Sequence, residues 1–185
     1  PFNFYSIGGN LPTAPAIVGN TTIWKPSRSV LFSNYKIMEA LLEAGLPAGV
    51  INYVPFPSKI SQSIIEDPDL GGVHFTGSYD TLVKIRQMVS QNLKKYRSFP
   101  RIVGESGGKD FLFMHESAEV KRTAEQLVKE AFGYQGEKCS AISRAYIQES
   151  KWEELKKELL RKTSDIQPGR VSDLDNFMGA LIDEA

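Results

Sequence analysis

The amino-acid sequence predicts an α/β protein in which helices cover parallel strands. Short runs rich in β-branched and aromatic residues alternate with segments whose apolar residues recur at helical spacing. Glycine and proline mark the ends of most of these segments. A repeated order of strand, helix and strand favours a parallel sheet with helical crossovers. On such sheets, ligands bind at the carboxyl ends of the strands.

Composition narrows the class of protein before any motif is considered. Hydrophobic residues make up 41% of the 185 residues and charged residues 24%, as in globular proteins. The 22 basic residues balance 22 acidic ones, and no apolar run approaches the ~20 residues of a membrane span. One cysteine and two distant histidines give no metal-ligand spacing, and we expect structural roles for His74 and His115. We therefore expect no nucleic-acid partner, no membrane and no metal.

The first half of the chain shows the alternation clearly. Residues 21–27 (TTIWKPS) predict a strand that Pro26 stops, followed by an amphipathic helix that Gly45 ends. A strand at GVINYVPF, a short helix at SKISQSIIEDPD and a strand at GGVHFTGS come next. Asp80 is the predicted N-cap of the helix that follows.

The second half continues the same pattern. The segments RIVGES and KDFLFMH predict strands, and Ser117 is the predicted cap of a helix with an apolar stripe. A strand at SRAYIQES and a solvated amphipathic helix at KWEELKKELLRKT complete the order. We predict two parts, residues 1–105 and residues 106–185.

Two strand ends have features of an anion-binding site. In FTGSYDT, residues 75–81, a glycine lets the backbone turn and a serine leads into a helix. The first N–H groups of a helix favour an anion such as the phosphate of a nucleotide, and an ordinary turn is the alternative. Lys25, held extended by Pro26, can reach a ribose or phosphate, or can be a plain exposed lysine. The G-x-G-x-x-G fingerprint of dinucleotide-binding proteins does not occur.

Two further residues are candidates for covalent chemistry. Cys139 follows a helix that ends near Gly133 and lies in a polar setting, where the adjacent Lys138 favours the nucleophilic thiolate. An inert cysteine is the alternative. Glu105 stands at a strand end before two glycines that let other groups approach, which suits a general base. A solvated glutamate at a turn is the alternative.

The order of six segments resembles the aldehyde dehydrogenase superfamily over the whole chain. The segments are PFNF, APAIVGNTTIWKPS, LLEAGLPAGVINYVP, VHFTGS, GESGGKDF and FGYQGEKCSAISR. Within that superfamily the chain is most similar to the mitochondrial 1-pyrroline-5-carboxylate dehydrogenases, which oxidise glutamate semialdehyde to glutamate in proline catabolism. The pointers are the opening PFNFYSIGGN, the long stretch VSQNLKKYRSFPRIVGE and the segment GGKDF.

The resemblance implies a fold, a cofactor and a role for each matching residue. Residues 1–105 would form part of a Rossmann-like NAD-binding domain and residues 106–185 the start of an α/β catalytic domain. Cys139 matches the nucleophile, Glu105 the general base and Asn3 the amide of the oxyanion hole. Lys25 matches the lysine that binds the adenosine ribose. The residues that match the pyrophosphate-binding loop and helix start are Gly77, Ser78, Tyr79, Asp80 and Thr81.

Some residues depart from the family pattern. Arg28 stands where many relatives have a carboxylate for the ribose hydroxyl, which leaves NADP open beside NAD. Glu137 replaces a common glutamine and places a negative charge near the thiol, which Lys138 offsets to an extent that sequence does not give. The chain also lacks later family segments, so we expect it to be part of a longer protein and to turn over aldehyde poorly alone.

Alternatives to glutamate-semialdehyde oxidation stay open at this point. Another semialdehyde, such as that of succinate or aminoadipate, is one alternative substrate. A non-catalytic module that binds a nucleotide or a partner chain is a second alternative. The resemblance implies a mitochondrial matrix location, with the cytoplasm as the alternative, and a homo-oligomer for the full-length protein.

Overall fold

The computed structural model describes residues 4–182. The chain divides into two compact units, Pro1–Gly107 and Gly108–Ala185. The predicted boundary after Glu105 lies two residues before this division, and the roles assigned to the two parts stay predictions. Among the described residues, no helix is both long enough and apolar enough to cross a membrane.

Between residues 4 and 107, the first unit shows four helices and four strands, in addition to short 3₁₀ turns at Arg28–Val30 and Ser58–Ile60. In chain order the elements are α1 (Tyr5–Ile17), β1 (Thr22–Trp24), α2 (Leu31–Glu43), β2 (Ile51–Tyr53), α3 (Ser61–Ile65), β3 (Gly72–Thr76), α4 (Tyr79–Gln91) and β4 (Arg101–Glu105). Strand β1 pairs with β2, and β3 pairs with β4. Both pairs are parallel.

The second unit repeats the pattern once. Its elements are β5 (Asp110–Phe113), α5 (Val120–Phe132), a 3₁₀ turn at Gly133–Gly136, β6 (Ile142–Tyr146) and α6 (Glu149–Ser164). Strands β5 and β6 are parallel. The predicted α/β class and parallel pairing are therefore confirmed, although the described strands form three separate pairs and not one wider sheet.

Each strand pair has its own apolar cluster beneath the helices. Trp24, Met38 and Ile51 form the buried centre of the β1–β2 pair. Ile65, Ile85 and Val89 do so beside β3 and β4. In the second unit, the buried centre is formed by Met114, Val120, Ala124, Leu127 and Leu155. Since burial of apolar area is the main favourable term in folding, these clusters fix where the strand ends lie.

Helix α1 is absent from the sequence-based prediction, and its sequence explains why. It contains Pro12 and Pro15 together with Gly8 and Gly9, residues that disfavour helix interiors. Tertiary packing compensates, because the Pro12 side chain is fully buried. A Cβ on Gly8 would lie 2.6 Å from Oδ1 of Asn34, which is itself buried. Only glycine therefore allows the buried side chain of α2 to approach α1 this closely.

Two predicted helix caps are wrong. Ser78, and not Asp80, is the N-cap of α4, because its extended backbone lets Oγ accept a hydrogen bond from the Thr81 N–H at 3.4 Å. Asp80 lies in the first helical turn. Ser117 does not cap α5, whose N-cap is Glu119. The Ser117 Oγ instead lies 2.9 Å from Nδ1 of His115.

The contact between α4 and β4 depends on Gly104. A Cβ on Gly104 would lie 2.3 Å from Cδ1 of Leu82, a side chain that is buried. The strand therefore lacks a side chain at the point where α4 crosses it, and the helix packs directly on the backbone.

Replacing Gly104 by alanine should destabilise the first unit. We expect Gly104→Ala to lower the free energy of unfolding by about 1–3 kcal/mol, because a methyl group overpacks the contact with Leu82. Urea unfolding followed by circular dichroism measures this change. The matched control is Gly71→Ala, where an added Cβ meets nothing within 4 Å. Equal stability of Gly104→Ala and Gly71→Ala would contradict this account of the contact.

Candidate active site

The loop after β3 and the end of β4 lie side by side. Parallel pairing places Thr76 opposite Glu105. The Gly77 N–H donates a hydrogen bond to the Glu105 carbonyl oxygen at 3.2 Å, which extends the ladder by one residue. The structure thus brings together the start of the predicted pyrophosphate loop and the predicted general base. The Glu105 side chain is exposed at this strand end.

Helix α4 begins directly at this edge. Its cap, Ser78, accepts from the Thr81 N–H and also donates its hydroxyl proton to Thr81 Oγ1 at 2.8 Å. The first-turn N–H groups of a helix have no carbonyl four residues earlier in the helix, and the aligned peptides give this end a partial positive charge. Ser78, Tyr79, Asp80 and Thr81 are all exposed, so an anion has access to this helix start.

A glycine at position 77 is explained by the close approach of the Phe75 ring and not by an unusual backbone angle. A Cβ at this position would lie 2.6 Å from Cζ of Phe75, whose ring folds over the glycine. The residue is absent from the glycines with positive φ. The backbone does bend at Gly77, as the sequence predicted, and the close approach of the Phe75 ring is a second reason for a glycine here.

Lys25 follows the carboxyl end of β1, as predicted. The strand end is held by the Val54 N–H, which donates to the Trp24 carbonyl at 2.9 Å. The Lys25 ammonium lies 6.0 Å from the centre of the Phe56 ring, at the limit of a cation–π contact. Burial raises the pKa of Tyr53, the partner of Trp24 in the strand register. The Tyr53 hydroxyl therefore stays protonated at neutral pH and donates to the carbonyl of Leu31 at 2.7 Å.

Helix α1 contacts both strand pairs of the first unit through its carbonyl oxygens. Thr22 Oγ1 in β1 donates to the Pro12 carbonyl at 3.2 Å. His74 Nδ1 in β3 lies 3.1 Å from the Leu11 carbonyl oxygen. A carbonyl oxygen only accepts, so Nδ1 of His74 carries the proton. The sequence predicted a structural role for His74, and this bond supplies the role.

Pro15 explains why the Leu11 carbonyl needs a donor from outside the helix. In a regular helix this carbonyl would accept from the N–H four residues later, but residue 15 is proline and has no N–H. His74 takes the place of the missing donor. The signal in the sequence is a pair, a proline in a helix and a histidine in a strand, that only the fold brings together.

Cys139 lies in the second unit, half-buried between the Gly133–Gly136 turn and β6. The predicted helix end before it is confirmed, since α5 ends at Phe132. A Cβ on Gly108 would lie 2.7 Å from the Cys139 carbonyl oxygen, so this glycine lets two backbone segments meet. The Lys138 ammonium lies 5.0 Å from the centre of the Tyr134 ring.

The second unit has an open depression on its surface. It has a volume of about 520 Å³ and is lined by Lys109, Asp110, Phe111, Glu130, Ser140 and Ile142. One of its lining residues, Ser140, follows Cys139 directly in the sequence.

Asn3, the predicted oxyanion-hole amide, lies outside the described residues. Glu105 belongs to the first unit and Cys139 to the second. Within residues 4–182, no group of three or more His, Cys, Asp or Glu side chains is placed to hold a metal ion.

These features define an α/β protein with an anion-accessible helix start at the carboxyl edge of a parallel strand pair, followed by a cysteine-bearing unit. The chain belongs to the aldehyde dehydrogenase family, whose model matches residues 1–185. This confirms the family that the six sequence segments indicated.

Individual relatives show which members of the family the chain is similar to. The chain is 46% identical to Delta-1-pyrroline-5-carboxylate dehydrogenase of Agaricus bisporus over 98% of the chain and 34% of the relative. It is 44% identical to the mitochondrial Delta-1-pyrroline-5-carboxylate dehydrogenase of Emericella nidulans, over 100% of the chain and 33% of the relative. The crystal structure of the Mycobacterium tuberculosis enzyme bound with NAD superposes with a TM-score of 0.93 at 50% identity, covering 100% of the chain and 35% of that structure. The chain thus spans about a third of the length of the relatives it matches.

A mutant cycle tests the link between α1 and β3. We expect His74→Phe to lower the free energy of unfolding by about 1–3 kcal/mol, because it leaves the Leu11 carbonyl without its donor. Pro15→Ala restores a helical N–H to that carbonyl. It should therefore recover about 1 kcal/mol more in the His74→Phe background than in the parent protein. Thermal and urea unfolding give the four free energies.

His115→Phe is the matched control for this cycle. His115 is exposed and bonds only locally among the contacts described, so its replacement should change stability by less than about 0.5 kcal/mol. Additive effects of Pro15→Ala and His74→Phe would refute the proposed replacement of one donor by the other.

Proposed function

We propose that this chain is part of an NAD-dependent aldehyde dehydrogenase that oxidises glutamate semialdehyde, formed from 1-pyrroline-5-carboxylate, to glutamate in proline catabolism. The observation that carries the proposal is the likeness of the whole chain to dehydrogenases that bear this name, one of them solved with NAD. Because the chain spans only a third of those proteins, the activity is proposed for the intact protein.

The residues at the β3 edge fit a dinucleotide. The start of α4 offers exposed N–H groups and a partial positive charge to a pyrophosphate, and Gly77 adds no side chain of its own next to the Phe75 ring. We assign this role to Gly77, Ser78, Tyr79, Asp80 and Thr81. Asp80 would take part through its main-chain N–H and not through its carboxylate. Lys25, at the end of β1, would hold the adenosine ribose. Bound NAD supplies the acceptor for the hydride that leaves the substrate carbon.

Cys139 would supply the nucleophile. Its thiolate adds to the aldehyde carbon and forms a carbon–sulfur bond. The carbonyl oxygen of the aldehyde then carries the negative charge as an oxyanion. The side-chain amide of Asn3 and the N–H of Cys139 are the proposed donors to that oxygen. Each such donor stabilises the transition state by about 2.7–4 kcal/mol in a well-formed oxyanion hole. Loss of hydride then leaves a thioester on Cys139.

Glu105 would act in the second half of the reaction. The thioester must be hydrolysed, and a carboxylate base takes a proton from the attacking water. Its exposure at the end of β4 gives water access to the carboxylate. Water adds to the acyl carbon, the bond to sulfur breaks, and glutamate leaves with the regenerated thiol.

The finer assignments rest on likeness to the relatives. Several relatives are named mitochondrial, so we propose the mitochondrial matrix for the intact protein, with the cytoplasm as the alternative. A homo-oligomer is proposed on the same ground. Arg28 is exposed in the 3₁₀ turn after β1, so NADP is to be tested beside NAD. A panel including succinate and aminoadipate semialdehydes tests the choice of aldehyde.

Loss of the thiol should abolish oxidation. In the intact protein we expect Cys139→Ser to reduce NADH production from glutamate semialdehyde by at least about 10³-fold, because a hydroxyl is a much weaker nucleophile. Absorbance at the NADH band measures the rate. Ser150→Ala, an exposed position in α6, is the control and should keep the parent rate. Full activity of Cys139→Ser would reject the nucleophile, whereas slow alkylation of the parent Cys139 would favour a non-catalytic module.

Loss of the base should separate the two half-reactions. Glu105→Gln should retain a first-turnover burst of NADH while the steady-state rate falls by about 10²–10⁴-fold, because hydride leaves before the water attacks. Stopped-flow absorbance resolves the burst, and mass spectrometry detects the acylated Cys139. The exposed Glu153→Gln on α6 is the matched control. A lost burst would place Glu105 before hydride transfer instead.

A further inference from the structure

The backbone before Cys139 adopts a conformation that side-chain-bearing residues avoid. Tyr134 and Gln135 have φ of 53° and 60°, and Gly136 has φ of 71°. Only the third position is glycine, where an added Cβ would also lie 2.9 Å from the Ala131 carbonyl oxygen. Left-handed residues with side chains are strained, and they persist only where surrounding contacts hold them. The question is which contacts hold this loop, residues 133–139.

Two side chains of the loop bind the main chain near residue 180. Gln135 Nε2 donates to the Ala180 carbonyl oxygen at 3.2 Å. The Ile182 N–H donates to Oε1 of Glu137 at 3.2 Å. In one bond the loop donates to a main-chain carbonyl, and in the other it accepts from a main-chain N–H. Together the two bonds attach the loop to the main chain at residues 180 and 182. The partners are 45 residues away along the sequence in both cases.

Residues 179–182, to which the loop is bonded, leave space for the Gln135 side chain. A Cβ on Gly179 would lie 3.1 Å from Gln135 Nε2 and 3.1 Å from Val171 Cγ1, so the glycine makes room for the Gln135 side chain. The stretch is itself held by the Gly169 N–H, which donates to the Met178 carbonyl at 3.0 Å. It therefore presents an ordered surface to the loop.

We propose that Gln135 and Glu137 are positioning residues for Cys139, with residues 179–182 as the support to which they are anchored. The inference deepens the proposed function, on which its meaning for catalysis rests. In the bond to the Ile182 N–H, Glu137 serves as a hydrogen-bond acceptor, a role that a neutral amide oxygen can also fill. The carboxylate whose charge the sequence placed near the thiol thus has a main-chain N–H as a partner within the second unit.

Paired substitutions of Glu137 separate a hydrogen-bond acceptor from a charge. Glu137→Gln keeps an acceptor oxygen and removes the charge, whereas Glu137→Ala removes both. Gln135→Ala removes the second anchor. Glu154→Ala, exposed on α6, is the control for loss of an acidic side chain. Two quantities are measured on each variant: deuterium exchange of peptides covering residues 133–140, and the rate at which iodoacetamide alkylates Cys139 between pH 6 and 9, against the same chain unfolded in urea.

The positioning role predicts a specific pattern. Glu137→Gln should match the parent chain in both measurements, as should Glu154→Ala. Glu137→Ala and Gln135→Ala should raise exchange in the loop about tenfold, as expected for loss of one hydrogen bond, and bring the alkylation rate to that of the unfolded chain. Exchange reports the order of the loop without any dehydrogenase assay, so its outcome is independent of whether the proposed oxidation occurs.

Other patterns would overturn the proposal. If Glu137→Gln and Glu137→Ala shift the pH profile of alkylation equally while exchange is unchanged, Glu137 acts by its charge. If exchange is the same in all variants, the loop does not depend on these anchors. If Glu137→Ala does not fold, Glu137→Gln compared with the parent still tests the charge of Glu137, and Gln135→Ala still tests whether the loop depends on an anchor.

Discussion

Parallel strand pairing is the constraint on which the placement of Glu105, Lys25 and the Gly77 loop depends. Because paired parallel strands end at the same edge, the register that sets Thr76 opposite Glu105 also brings the Gly77 loop to the carboxylate. Lys25 follows the end of β1 for the same reason. In the second unit the candidate residue lies at the opposite end of its strand. Cys139 precedes β6, Gly108 precedes β5, and the two residues meet at the amino ends of these strands.

Helix α1 connects the two strand pairs of the first unit. It does so through carbonyl oxygens that accept hydrogen bonds from side chains of β1 and β3. A proline in a helix interior normally costs stability because a carbonyl loses its partner. Here that carbonyl, of Leu11, bonds to His74 in β3, while Pro12 accepts from Thr22 in β1. The defect in local structure is thus the source of the tertiary contact, and both strand pairs are held to one helix.

The sequence predicted what local pattern controls and missed what distant partners control. The order of the strands, the helix end at Phe132 and the α/β class follow from periodicity and from glycine and proline, although strands β2 and β6 are shorter than predicted. Helix α1 does not, because its glycines and prolines oppose a helix until Asn34 and His74 pack against it. Likewise, a negative charge near the thiol was visible in the sequence, but the Ile182 N–H that binds Glu137 was not.

The wrong cap on α4 has a consequence for the proposed cofactor site. With Asp80 as the cap, the unpaired first-turn N–H groups would have begun at Thr81, beyond the turn and behind a carboxylate. With Ser78 as the cap, they begin at Tyr79, two residues closer to the glycine at the strand end. The Asp80 carboxylate then belongs to the first turn, where it stabilises the helix dipole. On the proposed assignment, the anion would meet main-chain N–H groups next to Gly77, and such a role would not require a glycine-rich fingerprint.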